Sequence, residues 1–145
     1  MIHLHAERVI PRPAAEVADF FFDATNNPQW QRGMRRCEWQ TPPPIGIGSI
    51  YEQEAVFVGR PVISTFQVVE YQRLERIRIE TLESTFPLAI TRSVEPIDES
   101  TSKVRAEIQG SPGGLMGLLG PLTRRLAQRS VDADYDRLVE LMSRD

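Results

Sequence analysis

Apolar and polar residues alternate over most of this chain, which is the pattern of strands that bury one face. The first such run, residues 2–10, stops at Pro11, and apolar residues at helical spacing follow Pro13. A short helical turn then carries Trp30. Further strand-like runs cover residues 34–40, 49–58, 61–71, 75–83, 87–95 and 101–109.

The last part of the chain predicts a long amphipathic helix beyond Pro121. Its apolar stripe comprises Leu122, Leu126, Ser130, Val131, Asp134, Tyr135, Leu138 and Met142, and is apolar apart from Ser130 and Asp134. The order of elements predicts an α+β fold. We expect a curved antiparallel sheet of about seven strands that grips the C-terminal helix, with two short helices after the first strand. We expect residues 1–145 to form one domain.

Two of the strands predict a hairpin around Gly59 and Arg60. A two-residue loop with glycine first is typical of a type II′ turn, which predicts that Val58 pairs with Pro61. Counting from that pair places Tyr51, Gln53, Ala55, Phe57, Val62, Ser64, Phe66 and Val68 on one face. The opposite face carries Glu52 and Glu54 and is more polar, so the first face is expected to point inward.

Composition narrows the class of protein. The 17 basic and 20 acidic residues give a formal net charge of −3, which provides no general attraction to nucleic acid or to an anionic membrane. The single cysteine, Cys37, excludes an intramolecular disulfide. No secretory signal and no membrane-spanning apolar run is found, so we expect a cytoplasmic protein.

The order and spacing of these segments resemble the START-like, helix-grip superfamily, in its polyketide cyclase/dehydrase and lipid transport branch. The resemblance covers essentially the whole chain. It is carried by IPRPAAEVADFFFD, NNPQW, GIGSIYEQEAVFVGRPVISTFQVVEYQRLERIRIE, PLAITRSVEPIDESTSKVRAEI and the final helix. It implies a deep cavity between sheet and last helix that usually binds an apolar or amphipathic small molecule. Some relatives are enzymes and many are carriers or sensors, so the fold alone does not decide the function.

The inner face of the hairpin is the first candidate site. Tyr51, Gln53 and Ser64 stand there among apolar side chains, and a mostly apolar pocket with a few placed polar groups is typical of small-molecule sites. The alternative is a solid core in which Tyr51 and Gln53 bond each other or the backbone.

Arg92 is the second candidate, because alternation places it on one face with Leu88, Ile90 and Val94. A buried guanidinium needs a carboxylate, water or an anionic ligand group as its partner. The alternatives are a register that is off by one residue, and a pair with a glutamate at the sheet edge.

The full set of predicted ligand-binding residues is Trp30, Tyr51, Gln53, Phe57, Ser64, Phe66, Arg92, Leu119 and Leu122. No metal is expected, since His3 and His5 share a strand face without an evident third ligand. No cofactor is expected either, because no phosphate-binding loop or dinucleotide fingerprint occurs.

Three functions stay open at this point. The first is binding of a hydrophobic or amphipathic small molecule, lipid-like or polyketide-like, as a carrier or sensor. The second is a cyclase or dehydratase, in which Arg92 and Tyr51 would stabilise an enolate and transfer a proton. The third is a membrane or protein interaction module that uses residues 115–122, in a glycine-rich segment (110–121) that is also a candidate lid. A homodimer is left open as well.

Overall fold

Seven strands form one antiparallel sheet in the order β1-β7-β6-β5-β4-β3-β2. The structure is a computed structural model that describes residues 2–57, 59–84, 87–110 and 120–144. The strands are β1 (Ile2–Ile10), β2 (Met34–Trp39), β3 (Ile50–Phe57), β4 (Arg60–Gln72), β5 (Arg76–Glu83), β6 (Leu88–Asp98) and β7 (Thr101–Gly110). The sheet curls into a half-barrel, and β1 and β2 are its two edges.

The helices complete the predicted α+β fold. Helix α1 (Ala14–Phe21) follows Pro13, and a 3-10 helix (Ala24–Gln29) comes next. The Asp23 carboxylate accepts a hydrogen bond from the Thr25 amide at 3.0 Å and so caps the start of the 3-10 helix. The long helix α2 (Gly120–Met142) packs on the concave face of the sheet. Within the described ranges, no helix combines the length and apolar character needed to cross a bilayer.

The β3–β4 hairpin confirms the predicted faces but not the predicted register. Phe57 pairs with Arg60 and Val56 with Pro61, so the pairing of Val58 with Pro61 is wrong by two residues. Gly59, with φ +75°, is the second residue of the loop rather than the first. Because side chains alternate with a period of two, this shift leaves the described side chains on their predicted faces.

Helix α2 buries its apolar stripe over only part of its length. Tyr135 and Leu138 lie in the core and are 2% and 0% exposed. Leu122 and Leu126, on the same predicted stripe, are 70% and 55% exposed. The expectation of one continuous buried stripe therefore fails in the N-terminal half of the helix.

Polar contacts fix α2 against the edge strand β1. The Gln128 side chain accepts a hydrogen bond from the His5 amide at 3.2 Å and donates one to the His5 carbonyl at 2.7 Å. The Arg8 Nε donates to the Asp136 carboxylate at 2.9 Å. A glutamine side chain thus satisfies backbone groups that an edge strand would otherwise present to another chain.

These contacts predict that the two halves of α2 contribute unequally to stability. We expect Leu138→Ala to lower the free energy of unfolding by about 2–5 kcal/mol, because it leaves a cavity in the core. The matched change Leu126→Ala should alter it by less than about 0.5 kcal/mol, because that side chain is already exposed to solvent. Urea unfolding of both variants measures the difference, and equal losses would contradict this description of the helix.

Candidate functional site

A cavity of about 260 Å³ lies between the sheet and the N-terminal half of α2. Its wall is formed by one face of the helix and by residues of β1, β3, β4, β6 and β7. The lining residues are Leu4, Gln53, Ala55, Val62, Ser64, Ser84, Leu88, Ile108, Ala127, Ser130 and Val131. Most of this surface is apolar, with a few hydroxyls and one amide.

Three of the four polar residues on the described cavity wall come together where β3, β4 and the end of β5 meet. Gln53 lies opposite Ser64 in the β3–β4 register, and the Ser64 and Ser84 hydroxyls lie 2.6 Å apart. The Gln53 amide makes no hydrogen bond with any residue that the structure describes. It therefore presents a donor and an acceptor to whatever occupies the cavity.

Arg92 lies away from this cavity, in the core below the C-terminal half of α2. It is on the inner face of β6, as alternation predicts, and is 6% exposed. Its Nη1 donates to the Phe21 carbonyl at 2.8 Å and to the Asn27 side-chain oxygen at 3.0 Å. Its guanidinium carbon lies 4.9 Å from the centre of the Phe21 ring and 5.2 Å from that of Trp30. A carbonyl, a side-chain amide and two aromatic faces stabilise the charge. The predicted position of Arg92 on the inner face is therefore confirmed, and its hydrogen-bond partners are not a glutamate at the sheet edge.

An aromatic cluster closes the core around Arg92. The Trp30 and Tyr135 rings meet edge-on with their centres 4.9 Å apart, and Phe21 lies 5.9 Å from Tyr135. On the other side, Tyr51 stacks on Phe66 at 5.3 Å. The packing leaves a void of only about 10 Å³ beside Arg92 and Tyr51, which is close to the size of one water molecule. The described side chains leave no space for an organic ligand directly beside Arg92.

Burial raises the pKa of several groups around Arg92. It raises the pKa of the Cys37 thiol to about 11, although a contact from the Asn27 amide and the charge of Arg92 act in the opposite direction. Burial likewise raises the pKa of the Tyr51 and Tyr135 hydroxyls, again against the effect of the Arg92 charge. All three groups are therefore protonated at neutral pH.

The predicted site residues thus fall into separate places. Gln53 and Ser64 line the cavity. Trp30, Tyr51, Phe66 and Arg92 lie in the core, where they are at most 6% exposed, and Leu122 is exposed to solvent. The Phe57 side chain and Leu119 lie outside the described residues. The role of each residue in ligand binding stays a prediction.

The predicted set did not include several residues of the cavity wall. Leu88 and Val62 are inner-face positions that alternation had already identified, and Leu4 lies between the outward-facing His3 and His5. Ala127 and Ser130 have a different signal. They are small residues in the helix half that precedes Tyr135 and Leu138. Ala127 is half-buried and Ser130 is exposed, so neither fills the space beside the sheet.

The sequence profile of the polyketide cyclase/dehydrase and lipid transport family matches residues 1–143. A search among curated proteins finds no match. Solved structures do match. TTHA0849 from Thermus thermophilus has a TM-score of 0.80 and 22% identity over 97% of this chain and 96% of that chain.

Two further structures share the fold. A START superfamily protein from Mycobacterium smegmatis has a TM-score of 0.82 and 14% identity over 98% of this chain and 99% of that chain. The Zhui aromatase/cyclase from a Streptomyces species has a TM-score of 0.65 and 14% identity over 97% of this chain and 90% of that chain. At these identities the likeness shows the common fold.

The surroundings of Arg92 predict a structural role for its guanidinium. We expect Arg92→Met to lower the free energy of unfolding by about 1–3 kcal/mol, because the Phe21 carbonyl and the Asn27 side-chain oxygen lose a buried donor. Chemical denaturation measures the change. An unchanged or higher stability would mean that the desolvation of the cation outweighs its hydrogen bonds, against this prediction.

The raised pKa of Cys37 predicts a loss of stability at alkaline pH. The thiol ionises near 9.0 when unfolded but only near 11 when folded, so the unfolded state loses its proton first. The free energy of unfolding should then fall by up to about 3 kcal/mol as the pH rises through this interval. Cys37→Ala should remove this part of the pH dependence, and its comparison with the unmodified protein cancels the contribution of the tyrosines. Parallel stability curves for the two proteins would contradict the assignment.

Proposed function

We propose that this chain, which belongs to the polyketide cyclase/dehydrase and lipid transport family, binds a small hydrophobic or amphipathic molecule as a carrier or sensor. The proposed site is the cavity between the sheet and the N-terminal half of α2. Gln53 and Ser64 would orient the ligand, and apolar residues such as Val62 and Leu88 would pack against it.

The volume and lining of the cavity carry this proposal. An apolar cavity of about 150 Å³ accepts benzene, so 260 Å³ has room for about two fused rings or an equivalent length of folded chain. Ligand sites are typically apolar concavities with a few polar groups that fix orientation. The wall described here has that composition.

The second candidate function is that of an enzyme of the cyclase or dehydratase type. It is favoured by the fold shared with the Zhui aromatase/cyclase. The cavity chemistry favours binding without turnover. Its polar groups are hydroxyls and an amide, whereas a general acid or base works best with a pKa near the operating pH. The two candidates are distinguished by the recovered compound, which a carrier or sensor releases unchanged.

The third interpretation, an interaction module built on residues 115–122, falls largely outside the described residues. Only Leu122 of that segment has a described side chain, and it is exposed. That interpretation stays a prediction from the sequence.

A pair of matched substitutions on α2 tests the site. Ala127 lines the cavity, and Ala133 is exposed on the same helix. We expect Ala127→Trp to occupy the cavity and weaken binding of the neutral two-ring fluorescent probe 1-naphthylamine by at least about tenfold. Ala133→Trp should leave the affinity unchanged. Fluorescence titration of the three proteins measures the effect.

Mass spectrometry provides a second measurement on the same proteins. A mass that is present under native conditions and lost on denaturation should occur in the unmodified protein and in Ala133→Trp, and be reduced in Ala127→Trp. Saturable probe binding that Ala127→Trp does not weaken would refute the placement of the site. If none of the proteins shows a bound mass and none binds the probe, the proposed function is refuted.

A further inference from the structure

The polar groups on the described part of the cavity wall are all uncharged. Gln53, Ser64 and Ser84 supply one amide and two hydroxyls at the junction of β3, β4 and β5, and Ser130 adds a hydroxyl on the helix side. The remainder of the described wall is aliphatic. The wall can therefore match the hydrogen bonds of a ligand but has no full charge to offer it.

The charged residues of the neighbouring strands face away from the cavity. Glu52 and Glu54 alternate with Gln53 on β3 and form ion pairs on the outer face, with Arg36 at 3.0 Å and with Arg35 at 3.6 Å. The segments next to the cavity in sequence that the structure does not describe, residues 85–86 and 111–119, contain only uncharged residue types. They cannot supply a charge to the site.

The buried cation of the core is not among the residues that line the cavity. Arg92 lies four residues along β6 from the cavity residue Leu88, about 13 Å at the rise of a strand. Its Nη1 donates to the Phe21 carbonyl and the Asn27 side chain, and aromatic rings cover its guanidinium. Arg92 therefore contributes no charge to the described cavity wall.

We infer that the cavity selects an uncharged ligand that carries a hydroxyl or carbonyl group on a compact apolar body, and that the Gln53 amide recognises this group. The inference rests on the proposed function and specifies its ligand class. An amide both donates and accepts hydrogen bonds, so it can pair with either kind of neutral group. A buried carboxylate without a counter-charge would lose its hydration without compensation.

Three probes with the same apolar body test this selectivity: naphthalene, 2-naphthol and 2-naphthoate. At neutral pH the first is apolar, the second is a neutral hydroxyl compound and the third is an anion. We expect 2-naphthol to bind about three- to tenfold more tightly than naphthalene, which corresponds to one hydrogen bond. We expect 2-naphthoate to bind at least about tenfold more weakly than 2-naphthol. Isothermal titration calorimetry gives the three dissociation constants.

Two matched variants assign the selectivity to Gln53. Gln53→Met keeps the length of the side chain and removes the amide, so the ratio of naphthalene to 2-naphthol dissociation constants should fall to about one. Gln67→Met makes the same change on the outer face of β4 and should preserve the ratio of the unmodified protein. A ratio is used because a general loss of stability would affect both probes alike.

The outcomes separate this inference from the proposed function. Equal binding of all three probes would leave the cavity as a binding site but refute recognition of a neutral polar group. Tighter binding of 2-naphthoate than of 2-naphthol would refute the inference and favour an anionic ligand. A ratio unaffected by Gln53→Met would refute the role of Gln53. If none of the three probes binds, the proposed function itself is refuted.

Discussion

The packing of the interior depends on the contacts that the buried Arg92 guanidinium makes. A cation cannot be left unpaired inside a protein, because the loss of hydration costs more than packing alone returns. The end of α1, the 3-10 helix and Trp30 offset part of this cost with the Phe21 carbonyl, the Asn27 side-chain oxygen and two aromatic faces. The buried Nε has no hydrogen-bond partner among the described residues. These elements are thereby drawn together at one end of the concave sheet.

The closure of that end decides where a ligand site can form. Tyr135 and Leu138 of α2 complete the packing there, and only a void of about 10 Å³ is left. Toward its N-terminus the helix places Ala127 and Ser130 over the sheet instead. Both have small side chains that line the cavity of about 260 Å³. The change in side-chain size along one helix separates the packed core from the candidate site.

The hairpin shows which sequence inferences tolerate error. Its register was displaced by two residues, yet the inward positions of Gln53, Ser64 and Phe66 were correct, because strand faces repeat every two residues. The inward position of Arg92 followed from the same alternation. The prediction of a buried stripe on α2 was only partly correct. Helical spacing placed Leu122 and Leu138 on one stripe, but the sheet covers only the second of them.

The sequence by itself determined the α+β fold, the order of its elements and the face of each strand, because all of these follow from the local period of apolar residues. The sequence did not determine which inward residues lie at the cavity and which lie in the packed core. Gln53 and Tyr51 share a face of β3, and one lines the cavity while the other stacks in the core. That distinction depends on where α2 approaches the sheet and which side chains it places there. Since these contacts join residues far apart in the chain, only the tertiary structure decided which inward residues form the candidate site.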